Sequence, residues 1–518
     1  MSVSLSHVSF EHHREALGIA ESQPRISWRF EGNVVNWEQR SYDLEIERND
    51  DGVPDLYSVN STDSIYVPWP GEALKSAESA HVRVRAHGLE GQPSTDWSQW
   101  ASVETGLLNE EDWGDAVPIA ADRATEVDAP KRPVHFRNDF TINGNISSAR
   151  LYITALGVYE AQINGKRVGD HVLAPGWQSY DYRHVYDTYD VTELVSDGDN
   201  AIGAIVGEGW YSGRLGFGGG SRNIYGDTLG LLALIVVTTD DGEKYSIATK
   251  DDWHASLGPI ITSEIYDGEK YDARLELDEG WSSPGFDNSE WMAVKRLPPL
   301  KGALVPADGP PVRKMEEVRP VSFHTSPSGK TIVDFGQVLV GWLRLNVSGQ
   351  AGTNISLHHA EVLEDGELSL RPLRNATAAD TIILANEKPK IWEPRFTFHG
   401  FRYAQLDGFD PASSENAVTA VVVHSDMEQT GWFECSNPLL NKFHRDSNAS
   451  TFGCSIFRHA ERMLKGYHGR SGALYTRSSL SSLSSVHYEH SRCGPVAREE
   501  NIQTRRERPP VSYRINTN

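Results

Sequence analysis

Arg150-Leu151-Tyr152-Ile153-Thr154-Ala155-Leu156-Gly157-Val158-Tyr159-Glu160-Ala161-Gln162-Ile163-Asn164-Gly165-Lys166 is the run on which the reading of the fold turns. It reads as extended chain ending in a hairpin, because Asn164-Gly165 supplies the two positive φ angles that a tight two-residue turn needs. The device recurs on both sides. Asp241-Gly242 separates Leu229–Thr239 from Lys244–Ala248, and Ser328-Gly329 and Asp365-Gly366 mark turns in a later block that also contains a buried strand at Val418–Val423. Nearer the N-terminus, Arg25–Arg29, Tyr42–Ile46 and His81–Ala86 alternate apolar and polar residues with period two, cut by the turn cluster Asn49-Asp50-Asp51-Gly52. Helical spacing is nearly absent before Ser425. It begins at Asn437-Pro438-Leu439-Leu440, where Asn437 suits an N-cap and Pro438 a first helical residue.

The expected architecture is mostly β: tandem β-sandwich domains, then a first helix, then a tail expected to be disordered. Residues 1–108 form one sandwich, 109–132 a linker, 133–300 a second sandwich, 301–428 a third, 429–453 the start of a helical domain and 454–518 a basic tail. A chain of 518 residues needs several cores. Its 45 Gly and 26 Pro suit a turn-rich β protein. The three cysteines, Cys435, Cys454 and Cys493, fall too late in the chain to staple its first 430 residues.

The net charge of −23 argues against nucleic acid or an anionic membrane as partner. That charge is uneven. Residues 454–518 hold 11 Lys+Arg and 5 Asp+Glu, a net of +6, which leaves −29 on the rest. The tail has ten Ser, ten Arg and no Asp. The first residues lack a secretory pattern, so a cytoplasmic location is expected and the sequons at Asn60, Asn346 and Asn375 read as chance. The apolar run Leu229–Val237 is too short to span a bilayer.

Phosphate loops, zinc spacings, nucleophile elbows and HExxH helices are missing from the sequence. His358, His359 and Glu361 alternate faces on a strand, so no metal site is read there. Asp334-Phe335-Gly336 matches a kinase tripeptide without its companions and is read as coincidence. The chemistry that remains is aromatic and polar: Gly207-Glu208-Gly209-Trp210-Tyr211-Ser212-Gly213-Arg214 and Trp177-Gln178-Ser179-Tyr180-Asp181-Tyr182 place Trp and Tyr beside charged groups. Such clusters suit sugar rings, whose C–H faces stack on aromatics. The competing reading is that these rings fill sandwich cores.

These motifs, in their order, resemble the α-L-rhamnosidases of glycoside hydrolase family 78 over roughly residues 5–453, the N-terminal three-quarters of such a pattern. The first domain contributes Leu17-Gly18-Ile19, Pro24–Trp28 and Glu104–Leu108. The second contributes Ala155–Tyr159, Leu173–Trp177, Gly207–Phe217, Tyr266–Glu269 and Tyr271–Arg274. The third adds Asp334–Gln337, Gly341-Trp342, His359-Ala360-Glu361 and Pro394–Tyr403, followed by Gly431–Phe433 and Ser436–Asn441. Val338 stands where the family usually has Asn.

The resemblance implies a fibronectin type III-like domain, a carbohydrate-binding-like domain, a concanavalin-like domain and then an (α/α)6 barrel. It also implies hydrolysis of terminal α-L-rhamnose from rhamnose-containing glycosides with inversion, which uses an acid and a base about 6.5–9.5 Å apart. The family's acidic segment should begin after Gly453, where Cys454–His459 does not match it. Glu461, Glu489, Glu499, Glu500 and Glu507 are the acids that follow, in no recognisable context, so no catalytic residue is assigned. The barrel is expected to be truncated, the chain alone inactive, and the tail a product of a shifted frame or mis-assigned intron. The alternative is a non-catalytic rhamnose-binding protein, because the second domain resembles a module that binds rhamnose, in some relatives with calcium. On that reading Asp170, Trp210, Tyr211 and Asn223 contact the sugar. No other cofactor is expected. A third reading gives the basic tail an acidic partner.

Overall fold

The computed structural model describes residues 3–445 apart from 35, 49–51, 125, 217, 410–416 and 430. The expected basic tail, 454–518, lies outside the described residues. The opening hairpin forms as read: Asn164 and Gly165 have φ of 50° and 76°, and Ile163 pairs with Lys166. Asp365 and Gly366 repeat this with 53° and 80°, whereas Asp241-Gly242 and Ser328-Gly329 place only the glycine at positive φ.

In the first domain a five-stranded sheet and a two-stranded ribbon enclose Trp28, Leu44, Val82 and Val84, each at most 2% exposed. Along Ser79–Gly88 every second residue is buried. Inward Ala80, Val82, Val84 and Ala86 therefore alternate with Arg83 and Arg85, which lie over the indoles of Trp97 and Trp100.

The second domain is a twelve-stranded sheet that curls until two faces oppose each other across one core. The quoted run supplies both faces. Ile146–Leu156 pairs with Gly230–Thr239, the chain turns at Gly157, and Val158–Ile163 pairs with Gly198–Gly207. Gly157 has φ of 143°, and a Cβ there would lie 2.2 Å from the Gly207 carbonyl oxygen, so the crossing demands glycine.

Two expected boundaries are corrected. The segment read as a linker contributes the strand Ile119–Ala121, which is at most 7% exposed and joins Leu231 and Val294 in the second domain's sheet. Pro118 and the three apolar residues after it are short, and only the neighbouring strands reveal their place. Within the block read as the second domain, the hairpin Ile260–Glu264 and Gly268–Asp272 leaves to join the third sheet, where its second strand runs parallel to Ala379–Ile383. Conversely, Ala303–Pro306 returns to the second domain beside Arg183–Asp190.

The third domain is a ten-stranded sheet organised by the long strand Thr331–Val347. Its core, with Phe335, Trp342 and Phe401, is continuous with Val158, Ile205 and Trp210 of the second domain. After it, residues 438–445 are helical. Asn437 caps them as expected: its side-chain oxygen accepts the Leu439 amide at 2.9 Å. No helix among the described residues is long and apolar enough to cross a membrane.

Candidate functional site

The Gly207–Arg222 segment builds the seam between the second and third domains. The strand Gly198–Gly207 ends against the third domain, where a Cβ on Gly207 would meet the Phe396 ring at 2.7 Å. Glu208 follows, fully buried, then the one-turn helix Gly209–Ser212. Glu208 Oε1 accepts the Lys131 amide at 2.8 Å and pairs with Arg222 at 3.3 Å. The other arm of Arg222 grips Glu264, and Arg214 pairs with Asp267 at 2.5 Å. One guanidinium thus joins a carboxylate from each side of the seam. Nearby, Arg395 reaches Glu160 at 2.6 Å while its amide donates to Glu269 at 3.0 Å.

Burial pushes Glu208 up to about 7 and Glu269 up to about 8. Glu264 rises to about 8 through burial and through a hydrogen bond with Asp267 that favours its protonated form. Such groups can hold a proton at neutral pH, but they are at most 3% exposed.

Three of the four expected sugar contacts gather around this segment. Trp210 is 5% exposed, with its ring parallel to Trp177 and tilted 45° to Phe398. Of the two readings of Trp210, sugar contact and core ring, its burial matches the second, since burying its large apolar surface outweighs leaving it in water. Tyr211 is half-buried, edge-on to Tyr180 at 5.1 Å. Asn223, at φ 58°, donates to the Val127 carbonyl at 2.6 Å and keeps a buried side-chain oxygen without a hydrogen bond. Asp170 stands apart. Its largely exposed carboxylate receives Arg313 at 2.8 Å, and no hydrogen bond or ion pair joins it to the other three among the described residues.

Calcium requires six to eight converging oxygens. The orphan oxygens Glu208 Oε2 and Asn223 Oδ1 lie in this region, but Arg222 already supplies the positive charge between Glu208 and Glu264. The residues at this seam do not fit the ion.

A second buried cluster, His359, Asp380 and His399, has ligand atoms within 4.8 Å of one another. His358 and His359 face opposite ways, as expected, and His359 Nδ1 lies 3.0 Å from the Ala378 carbonyl oxygen. Asp380 accepts from His399 at 3.0 Å and from the Glu269 amide at 2.9 Å. The two imidazoles stack 4.3 Å apart at 21°. Nearly parallel rings cannot both aim in-plane lone pairs at one ion about 2 Å away, so the cluster is built as a hydrogen-bonded stack. Sequence reasoning quoted His359, His399, Glu208, Glu269 and Arg395 within motifs without giving them these partners, and it missed Asp380 and Glu264. The available signal was a charged residue at the end of an otherwise apolar strand.

These buried groups set opposing pH slopes. Burial drives His135 and His359 down to about 3. The unfolded chain protonates them from about 6.5 downward, so their contribution is complete above that pH and is lost toward pH 3. Glu208, Glu264 and Glu269 act in reverse, because the unfolded chain releases their protons from about 4.5 while the folded chain keeps them to 7 or 8. Because three glutamates oppose two histidines, urea unfolding is expected to show maximal stability near pH 4.5–5, falling on both sides by at most about 1.4 kcal/mol per pH unit for each group. A steady rise from pH 5 to 8 would contradict this assignment.

Tandem β domains, the second and third sharing one continuous core, with an aromatic and carboxylate-rich seam and a capped helix after the last, define a modular, mostly-β protein. Family models make this specific. A Rha78A-like N-terminal immunoglobulin domain matches residues 5–109, an α-L-rhamnosidase N-terminal domain 144–316, and a bacterial α-L-rhamnosidase concanavalin-like domain 324–424. The chain belongs to the α-L-rhamnosidase family.

The solved α-L-rhamnosidase of Aspergillus terreus is 56% identical, with a TM-score of 0.85 over 88% of this chain and 53% of its own. The Streptomyces avermitilis enzyme, solved with L-rhamnose, is 28% identical, with a TM-score of 0.80 over 87% of this chain and 60% of its own. Among curated relatives, an α-L-rhamnosidase of Streptomyces avermitilis is 41% identical over 367 residues, 68% of this chain and 33% of that protein. One from Alteromonas is 33% identical over 448 residues, 83% of this chain and 48% of its own length. The chain thus spans between a third and a half of these curated relatives.

Proposed function

We propose that this protein serves the release of terminal non-reducing α-L-rhamnose from glycosides with inversion, and that its described residues are the β scaffold of that activity rather than its active site. The ordered match of all three sandwiches to α-L-rhamnosidase modules carries this reading. Supporting it, the titratable clusters at the seam and in the third domain are buried and committed to arginine, histidine or backbone partners. The 518-residue chain should release no 4-nitrophenol from 4-nitrophenyl α-L-rhamnopyranoside above the uncatalysed rate. Turnover that survives repurification would show that carboxylates outside those clusters do the chemistry.

A second reading, rhamnose binding without hydrolysis, is favoured by the cluster of Tyr211 and Asn223 on one loop system, with Asp170 exposed on the same domain. Retention on immobilised L-rhamnose, unchanged by added calcium and reduced in Tyr211→Ala, is its expected result. Passage through the column at low salt would end it.

A further inference from the structure

Most half-buried arginines in this acidic chain face a carboxylate: Arg48 meets Glu78, Arg150 meets Glu104, and Arg395 meets Glu160. Arg123 and Arg132 do not. Neither forms an ion pair with any described residue, although each is partly withdrawn from water; Arg132 feels the repulsion of Arg123 and, beyond ion-pair distance, the attraction of Asp272, whose carboxylate is held by Arg274. Arg132 donates to the Gly258 carbonyl at 2.6 Å, yet its Nε is buried without a hydrogen bond.

Both side chains line one cavity of about 40 Å³ between the strand Ile119–Ala121 and the Asp227-Thr228-Leu229 segment. That is several times the space one water molecule needs, and too little for a sugar ring to enter whole. Lys131, on the same wall, has its ammonium committed to the carbonyls of Glu126, Val127 and Ala129. Lys295 adds a cation at the exposed rim. Asp227 is the acid in the lining; its carboxylate accepts the Thr228 hydroxyl and reaches neither arginine.

Two unpaired guanidinium groups in one small cavity are costly unless an anion joins them, and their planar forks suit an oxyanion. We propose that this cavity binds a small oxyanion, a carboxylate or phosphate group held by Arg123 and Arg132. It adjoins Asn223, which shares the Val127 carbonyl with Lys131, but it selects charge rather than a neutral sugar, so anion binding is read independently of rhamnose retention.

Calorimetric titration of the whole chain at low salt with glucuronate, inorganic phosphate and neutral glucose decides the matter. Saturable millimolar binding of glucuronate or phosphate, a raised unfolding midpoint with that anion, and no response to glucose are expected. Glucuronate alone would identify a sugar carboxylate, and phosphate alone an inorganic or ester source. The Arg123 side chain makes no hydrogen bond or ion pair with a described residue, so R123Q should fold normally and weaken binding about tenfold or more. R123Q/R132Q should abolish binding, with circular dichroism as the check on folding. No saturable binding of either anion, or undiminished binding in a folded R123Q/R132Q protein, would overturn the assignment.

Discussion

Replacing Trp210 by alanine should destabilise the protein by about 3–5 kcal/mol, the range for truncating a buried aromatic. The indole is 5% exposed, lies parallel to Trp177 and abuts Phe398, which comes from the third domain. Its removal opens a void where two cores join, and rigid sheets on both sides limit collapse into that void. The urea midpoint should drop strongly, with the third domain's signals lost together with the second's. Trp210→Phe should recover much of the loss. An alanine variant with unchanged stability and abolished rhamnose retention would restore the ring as a sugar platform.

Asp380→Ala should cost about 3–5 kcal/mol, for a different reason. Burial alone would raise this carboxyl, but the charge and hydrogen bond of His399 hold it below its ordinary value. Its two oxygens satisfy His399 and the Glu269 amide, all within the interior. Alanine strands both donors in a site that water does not reach. Because the carboxylate is favoured in the fold, Asp380 adds stability above its unfolded value and loses it as pH falls through the lower folded one. Asp380→Ala should therefore lose less, relative to the parent, in strong acid than at neutrality, and equal losses at pH 3 and pH 7 would refute the ionised assignment.

The parts of this molecule that were legible in its sequence are local. Asn164-Gly165 and Asp365-Gly366 announce left-handed turns because few other residue pairs accept two positive φ angles cheaply. Asn437 announces a helix start because a short acceptor side chain meets an unsatisfied amide two residues on. The alternation of Ser79–Gly88 announces which side chains turn inward.

The errors have one origin. Ile119–Ala121 was too short to carry a period, and the hairpin Ile260–Asp272 is indistinguishable in sequence from its neighbours, although it changes sheets. Trp210 fitted two readings, sugar contact and core ring, because composition does not say whether a ring points out or in.

By itself, then, the sequence determined the strands, the turns, the helix cap, the charge division near Gly453 and the family resemblance, all of which depend on residues close along the chain. Tertiary structure alone decided that Glu208 meets Glu264 through Arg222, that Asp380 joins two stacked histidines, and that Arg123 and Arg132 share a cavity whose one carboxylate, Asp227, pairs with neither. Those partners lie far apart in the chain, and whether a polar group is buried with a counter-charge or without one depends on how the sheets curl and dock. Period and propensity describe a strand's faces, whereas only packing chooses what each face meets.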